Sequence, residues 1–162
     1  GNFDTYGVQA KDKPLDRPEL APSADRFAVT PDFLRTLRIP LLEGRNFSAA
    51  DNSVAAPDVV IVSAALAARI WPGEHAVGKQ IHMGEPSRPW FTVIGVAGDV
   101  HHQGLDVSQT LQVYLPARHF FFADNVVDVV VRVIGDPAGV LPALRRAVVS
   151  LDPETVVLRL AT

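Results

Sequence analysis

The chain contains no cysteine, which excludes disulfide bonds, thiolate nucleophiles and zinc sites built on sulfur ligands. It also has no excess of basic side chains, since 15 basic and 18 acidic residues among 162 give a net charge of −3. Without a basic stripe to neutralise phosphate groups, a nucleic acid is not an expected partner. The absence of cysteine leaves the redox compartment of the protein open.

Long hydrophobic runs are absent as well, although 48% of the residues are hydrophobic. The most apolar stretch, "VVIVSAALAARIW", is interrupted by Ser63 and Arg69, and it falls short of the roughly 18 apolar residues that a membrane-spanning helix requires. The first residues, "GNFDTYGVQAKDKP", have neither the basic start nor the apolar core of a secretory signal. These features predict a soluble globular chain with enough apolar residues for a packed core.

The first half of the chain has local signals for a connection, two helical segments and a strand-to-helix unit. Residues 11–25 are rich in proline and charged side chains, which predicts an extended, solvated connection. The stretch "TPDFLRTLRIP" predicts a short helix capped by Thr30, and Ser48 with Asp51 has the spacing of a capping box around one helical turn. "DVVIVS" predicts a buried strand that is followed by a helix with Ser63 as its N-cap.

The second half is predicted to be rich in strands. "KQIHM", "WFTVIGVAGDV" and "LQVYLPA" have the composition of strands, and "TVVLRL" predicts a last strand at the end of the chain. In "VVDVVVRVI", residues 126–134, valines alternate with polar residues, which predicts a half-buried strand. "DPAGVLPALRRAVVSLDP" predicts a helix with Asp136 as its N-cap, in which Pro142 either causes a kink or marks the start.

One segment has some of the spacing of a phosphate-binding loop. In "GEHAVGKQ", residues 73–80, Gln80 stands where the motif has the serine or threonine that binds magnesium. The segment also follows a helix and precedes a strand, whereas a phosphate loop follows a strand and opens a helix. We interpret residues 73–80 as a helix-to-strand turn.

Histidine side chains are candidate metal ligands or acid/base groups. In "GDVHHQG", Asp99 lies beside His101 and His102, but neighbouring residues of a strand point to opposite faces, and zinc usually needs three or four ligands. We interpret this segment as a polar strand end or turn. A metal site would need the fold to gather the remaining histidines, His75, His82 and His119.

Ser63 is the candidate nucleophile, because it follows a strand and precedes a helix as in the nucleophile elbow of hydrolases. That elbow has small glycines on both sides of the serine, and the neighbours of Ser63 in "IVSAA" do not match it. A helix N-cap is the simpler interpretation. We therefore predict no catalytic residue, no cofactor and no metal ligand.

An aromatic cluster, "HFFF", separates two predicted strands. Phe120, Phe121 and Phe122 cannot all face one core if the segment is extended. Either the loop folds back and buries the three rings, as is usual for aromatic side chains, or at least one ring contacts a partner or a membrane surface. We name these residues a candidate partner-contact loop, which would suit a generic protein-binding module.

Several motifs occur in a fixed order, namely "TPDF", "GR.F", "ARIWPG", "VGK.I", "VIGV.GDV" and "YLP". They lie within "VTPDFLRTLRIPLLEGRNFSAAD", "DVVIVSAALAARIWPGEHAVGKQI", "WFTVIGVAGDVHHQGLD", "QVYLPA" and "VVVRVIGDPAGVLPALRRAVVSLDP". Together, from Phe27 to Pro153, these segments resemble the periplasmic core domain of MacB-type ABC transporter permeases, of the FtsX/MacB family. The resemblance covers most of the chain.

The resemblance implies an α+β fold in two parts. Residues 1–38 and 124–162 would form a split, porter-like α/β subdomain with βαβ units. Residues 39–123 would form an inserted, strand-rich subdomain of the kind called the sabre. Because domains of this family begin with a further strand and helix, the porter-like subdomain is expected here without its first strand and helix.

The resemblance also implies a function without catalysis. Such domains lie on the periplasmic face of the inner membrane between two transmembrane helices, and they couple cytoplasmic ATP hydrolysis mechanically to export of a substrate or to a periplasmic partner. The expected partners are the remainder of the permease, its ATPase subunit or domain, and a periplasmic adaptor or exported substrate. The isolated fragment is expected to be monomeric and the parent permease dimeric. A histidine-dependent metal-binding domain or hydrolase, and a generic protein-binding module, stay open as alternatives.

Overall fold

In the computed structural model, the described residues are 4–84, 88–100, 111–120 and 127–151. The chain divides into two compact units, Gly1–Asp128 and Val129–Thr162. No helix within the described ranges is long and apolar enough to cross a membrane.

The first unit is built on one sheet of seven strands. In chain order these are β1 (Asp4–Ala10), β2 (Ser23–Val29), β3 (Leu41–Gly44), β4 (Val59–Ser63), β5 (Gln80–Met83), β6 (Phe91–Ala97) and β7 (Gln112–Pro116). Across the sheet the order is β3-β6-β4-β7-β2-β1-β5, and β5 pairs with β6 as well. This additional pairing closes all strands except β3 into a ring of hydrogen-bonded neighbours, as in a small β-barrel.

The sheet is mixed and joins distant parts of the chain. β2 is parallel to β7 and β4 is parallel to β6, whereas the other pairs are antiparallel. Strands from residues 1–38 and from 39–123 thus belong to the same sheet. The division into a porter-like part (1–38 with 124–162) and an insert (39–123) stays a prediction, and it has to accommodate this shared sheet.

The first unit also contains two α-helices, α1 (Phe33–Leu37) and α2 (Ala64–Ile70). The prediction of Thr30 as the cap of α1 is wrong, since the N-cap is Asp32. Asp32 already has helical backbone angles, and its carbonyl oxygen accepts the N–H of Thr36 at 2.8 Å. The helix ends at Arg38, which has a left-handed φ of 58°.

Two other local predictions are confirmed. Ser63 caps α2, because its side chain accepts the backbone N–H of Leu66 at 3.3 Å. Ser48 and Asp51 form a capping box around the short 3₁₀ turn Ala49–Asn52. Both caps bind N–H groups at helix starts that would otherwise lack partners.

The core consists of two hydrophobic clusters, and β4 contributes to both because alternate residues of a strand point to opposite faces. All five residues of β4 are buried. The first cluster includes Val60, Val62, Leu66, Trp71 and Phe91. The second cluster includes Leu34, Phe47, Val59, Ile61 and Tyr114.

The second unit contains the helix α3 (Leu141–Leu151), which follows a 3₁₀ turn. Asp136 caps that turn as predicted, since its side chain accepts the N–H of Ala138 at 3.0 Å. Pro142 is the second residue of α3, so of the two predicted roles it marks the start of the helix, where its missing N–H costs little. None of the residues of α3 is buried.

The predicted strand at 126–134 is wrong over its described part, because residues 127–134 form no strand. Several of its valines are exposed. The strand preference of β-branched residues depends on a neighbouring strand and a covering layer, and no strand is paired with residues 127–134 in the part of the chain that the structure describes. The predicted last strand, "TVVLRL", lies outside the described residues.

Candidate functional site

Ser63 is the most deeply buried hydroxyl group among the candidate residues of the first unit. Its hydroxyl group lies where β4, β7 and α2 meet, and it is fully buried. The hydroxyl oxygen accepts two backbone N–H groups, from Leu66 at 3.3 Å and from Gln112 at 3.1 Å. A hydroxyl oxygen with two acceptor sites is thereby used to join the helix to β7, which is a structural role.

Gln112 and Tyr114 extend this buried network. The phenol of Tyr114 donates to Oε1 of Gln112 at 2.7 Å, and Nε2 of Gln112 donates to the carbonyl oxygen of Val100 at 3.0 Å. Burial, with a contribution from the charge of Asp99, raises the pKa of the Tyr114 phenol. Tyr114 therefore stays protonated and acts as a hydrogen-bond donor inside the fold.

Asp99, in the motif "GDV", has a clear structural role. Its Oδ1 accepts the backbone N–H of Ala65 at 2.8 Å, in the first turn of α2. A carboxylate at this position satisfies a free N–H and interacts favourably with the helix dipole. Sequence reasoning missed this contact because the two residues are far apart along the chain. His101 and His102 lie outside the described residues.

The other histidines lie on different elements. His75 is exposed, with Nδ1 3.3 Å from Oε2 of Glu43. His82 is buried in β5, with its ring edge-on to Trp90 at 4.9 Å. His119 lies in the turn after β7. Among the residues that the structure describes, no group of three histidine, aspartate or glutamate side chains could hold a metal ion.

The segment 73–80 is a turn between α2 and β5, as interpreted from the sequence. Gly78 has a φ of 89° and donates its N–H to the carbonyl oxygen of Val93 at 2.8 Å. The ammonium group of Lys79 pairs with Glu74, lies 3.2 Å from Oδ2 of Asp12, and lies 5.2 Å from the ring centre of Trp71. The lysine that a phosphate loop would use is thus occupied by carboxylates of its own chain.

The same ionic group fixes the segment that follows β1. The indole Nε1 of Trp71 donates to Oδ1 of Asp12 at 3.0 Å, and Lys13 pairs with Glu74 at 2.5 Å. The pKa of the Asp12 carboxyl is lowered because hydrogen bonds from Trp71 and Lys79 outweigh the effect of burial. The motifs "ARIWPG" and "VGK.I" therefore supply side chains that join the end of α2 to the start of the chain.

Two glycines of separate motifs lie opposite each other where β3 pairs with β6. Gly44 pairs with Gly95 in register, and Gly44 has a φ of 73°. A Cβ atom on Gly44 would lie 2.1 Å from the carbonyl oxygen of Ile94, and one on Gly95 would lie 2.7 Å from that of Arg45. Only glycine allows the two backbones to approach this closely. The motifs "GR.F" and "VIGV" therefore each supply one glycine to the same close pairing of β3 with β6.

Aromatic packing accounts for two further motifs. The ring of Tyr114, in "YLP", lies 5.7 Å from the ring of Phe27 and 6.1 Å from that of Phe33, in "TPDF". Such distances are typical of stabilising aromatic pairs. In the described part of the chain, the motif residues thus hold β-strands and helices together.

Residues 9–152 match the family described as the MacB-like periplasmic core domain. The chain belongs to this family. The resemblance inferred from the ordered motifs is confirmed, and the chain is a periplasmic domain of an ABC transporter permease. None of the curated proteins compared with this MacB-like domain matches it.

Solved structures support the same fold for the MacB-like domain. The periplasmic region of MacB from Actinobacillus actinomycetemcomitans is similar with a TM-score of 0.62 at 16% identity, over 91% of this chain and 63% of that one. A domain of a putative permease from Porphyromonas gingivalis gives 0.55 at 18% identity, over 88% and 58%. The extracellular domain of the transporter YknZ from Gram-positive bacteria gives 0.51 at 14%, over 71% and 51%.

These comparisons confirm a mixed helix-and-strand fold like that of MacB periplasmic domains. The MacB-like domain spans between about half and two thirds of the length of these solved chains. Of the candidate partner-contact loop, Phe120 is 41% exposed. Phe121 and Phe122 lie outside the described residues, so the loop stays a prediction.

Proposed function

We propose that this MacB-like domain is a non-catalytic part of its permease that couples cytoplasmic ATP hydrolysis mechanically to export of a substrate or to a periplasmic partner. The family match over residues 9–152 is the observation that carries the proposal. In this proposal the domain acts with the remainder of the permease and the ATPase subunit or domain, and with an adaptor or exported substrate. The parent permease works as a dimer, and the isolated fragment is a monomer.

The construction of the first unit supports a mechanical role. A domain that transmits force must keep its shape, and the strands of this unit are closed by the pairing of β5 with β6. Both ends of α2 are also fixed, by Asp99 and Ser63 at its start and by the bond from Trp71 to Asp12 at its end. These contacts favour movement of the unit as a whole over internal deformation.

A distance measurement in the parent permease tests this proposal. Val54 is 93% exposed in the first unit, and because these 162 residues contain no cysteine, a Val54→Cys variant carries one spin label per domain once any cysteine elsewhere in the permease is replaced. We expect the distance between labels in the two copies to differ between the nucleotide-free and vanadate-trapped ATP states in proteoliposomes. The ADP-bound permease serves as the reference. Identical distances in all states, while ATP hydrolysis continues, would contradict mechanical coupling.

The partner-contact loop belongs to the same proposal. A photoreactive amino acid at Phe121 in the parent permease should form a crosslink to a periplasmic protein or a second copy, and the same amino acid at the exposed Val54 should not. Phe121→Asp should abolish a contact that Phe121 makes directly. A crosslinking pattern at 121 that equals the pattern at 54 would remove the loop from the proposal.

The histidine-dependent alternative is tested by metal analysis. We expect the purified chain to contain no stoichiometric zinc, and a His101→Ala/His102→Ala variant to have the same metal content. A stoichiometric metal that is lost in the variant would show that the adjacent histidines bind it. That result would overturn the non-catalytic assignment.

A further inference from the structure

A cluster of charged side chains lies where the turn after β7 meets the segment before β4. The guanidinium group of Arg118 donates to Oδ1 of Asp58 at 2.9 Å. It also donates to three carbonyl oxygens at 3.0 Å, those of Asp51, Ala56 and Pro57. Arg118 therefore fastens the turn Ala117–His119 to the segment that leads into β4.

His119 lies inside this cluster. Its side chain is 12% exposed, and its ring packs edge-on against Phe91 in β6 with 5.1 Å between the ring centres. Nε2 is 3.3 Å from Oδ1 of Asp58 but has no hydrogen-bond partner among the described residues. The guanidinium group of Arg26, in β2, donates to the carbonyl oxygen of His119.

The charges around His119 favour a neutral imidazole. Burial, and then the charge of Arg118, hold the pKa of His119 below its ordinary value, with a smaller contribution from Arg26 that acts in the same direction. Asp58 alone opposes this shift, and its Oδ1 already accepts a hydrogen bond from Arg118. A proton on His119 would add a positive charge next to the guanidinium groups of Arg118 and Arg26 in a partly buried site.

We propose that Asp58, Arg118 and His119 form a proton-sensitive latch, in which a neutral His119 holds the turn after β7 in place and a protonated His119 loosens it. The latch goes beyond the coupling function proposed above. The pKa of His119 is lower in the folded chain than in the unfolded chain. The stabilising effect of the neutral imidazole is therefore complete when the pH is above the pKa of histidine in the unfolded chain. It is lost as the pH falls toward the folded value. A domain on the periplasmic side of the membrane is exposed to such changes of external pH.

Hydrogen exchange of the 162-residue chain tests the latch. The exchange rate of residues 112–120 is compared between the wild type and His119→Gln at about pH 8 and about pH 5, on either side of the ordinary histidine pKa. Intrinsic pH effects cancel because each ratio is taken at one pH. Because His119→Gln also removes the packing on Phe91 at both pH values, the change in the ratio carries the test, and we expect the ratio of wild-type to variant exchange rate to be higher at the lower pH than at the higher pH. His75→Gln, at an exposed histidine, should behave as the wild type.

Two results would overturn the latch. The first is the same exchange-rate ratio at both pH values, which would show that protonation of His119 leaves the turn unchanged. The second is an NMR titration of His119 in the wild-type chain with a midpoint at or above 6.5, the ordinary value. The titration needs no variant, so it decides the question even if His119→Gln does not fold.

Discussion

The two compact units use similar residues with opposite results. In the first unit, Leu66 of α2 is 0% exposed, whereas Leu151 of α3 in the second unit is 87% exposed. Both helices carry leucine and alanine in patterns that favour a helix. An amphipathic pattern thus determines what a segment can form, but burial requires a second surface, which the sheet supplies in the first unit.

The valines of the two units show the same contrast. Val60 and Val62 of β4 are completely buried in the first hydrophobic cluster, whereas Val129 and Val131 are exposed. The residue type is the same, and the difference is that β4 has strands paired on both sides, whereas no strand of the described ranges pairs with Val129 or Val131. Strand preference is therefore a property of the surroundings as much as of the residue.

The largest expected effect compares a leucine in each unit. Leu66→Ala removes a fully buried side chain and should lower the free energy of unfolding by about 2–5 kcal/mol. Leu144→Ala, at a half-buried position of α3, should cost about 0.5 kcal/mol. Urea unfolding measures both, followed by tryptophan fluorescence for the first unit, which contains Trp71 and Trp90, and by the amide exchange of α3 for the second unit. Equal costs would show that α3 is as firmly packed as α2, which would contradict the difference between the two units.

A smaller effect concerns a buried carboxylate of the first unit. Asp51 accepts two hydrogen bonds from Arg45 and two from Ser48, and the hydrogen bonds from Arg45 hold the pKa of Asp51 well below its usual range. Asp51→Asn should lower the free energy of unfolding by about 1–3 kcal/mol at pH 7.

The pH dependence follows from the direction of that shift. Because the folded pKa of Asp51 is depressed, its stabilising effect is present above the unfolded value of about 4 and is lost as the pH falls below it. The difference between the wild type and Asp51→Asn should therefore shrink between about pH 4 and about pH 2. A constant difference for Asp51→Asn would contradict the assignment.

The smallest effect compares the two helix caps. Ser63→Ala leaves the N–H groups of Leu66 and Gln112 without their acceptor and should cost about 1–2 kcal/mol. Asp136→Ala removes the acceptor of the exposed Ala138 N–H, which can bind water instead, so the free energy of unfolding should fall by only about 0.5 kcal/mol. Thermal unfolding of both variants sharpens the comparison, and a larger cost for Asp136→Ala would reverse it.

Local signals in the sequence were sufficient for some elements. The unit formed by β4 and α2 was predicted because a β-branched run, an N-cap serine and the terminating pair "PG" follow one another within a few residues. β1 was not predicted. It contains Gly7 and Gln9, which have weak strand preference, and its pairing with β5 depends on residues distant in sequence, such as Val8 with Met83.

The roles of the motif residues could not be predicted from local sequence either, because they depend on contacts between residues that are distant along the chain. The sequence identifies "GDV" as part of a family pattern, but only the fold brings Asp99 to the N–H of Ala65. Likewise, Gly44 and Gly95 belong to separate motifs, and the need for glycine arises only because the fold pairs their two strands at these positions. Thr30 was preferred as a cap on composition, yet the backbone of Asp32 decides where the helix begins.

The strand order has a consequence for how the chain folds. Asp25 of β2 pairs with Gln112 of β7, and Ala10 of β1 pairs with Ile81 of β5. Such long-range pairings slow folding, because much of the chain must be ordered before they form. When the chain emerges from its N-terminus onward, the edge of β2 stays unpaired until β7 has followed. That interval is when the protein is most exposed to aggregation, and when a chaperone that binds extended segments would protect it.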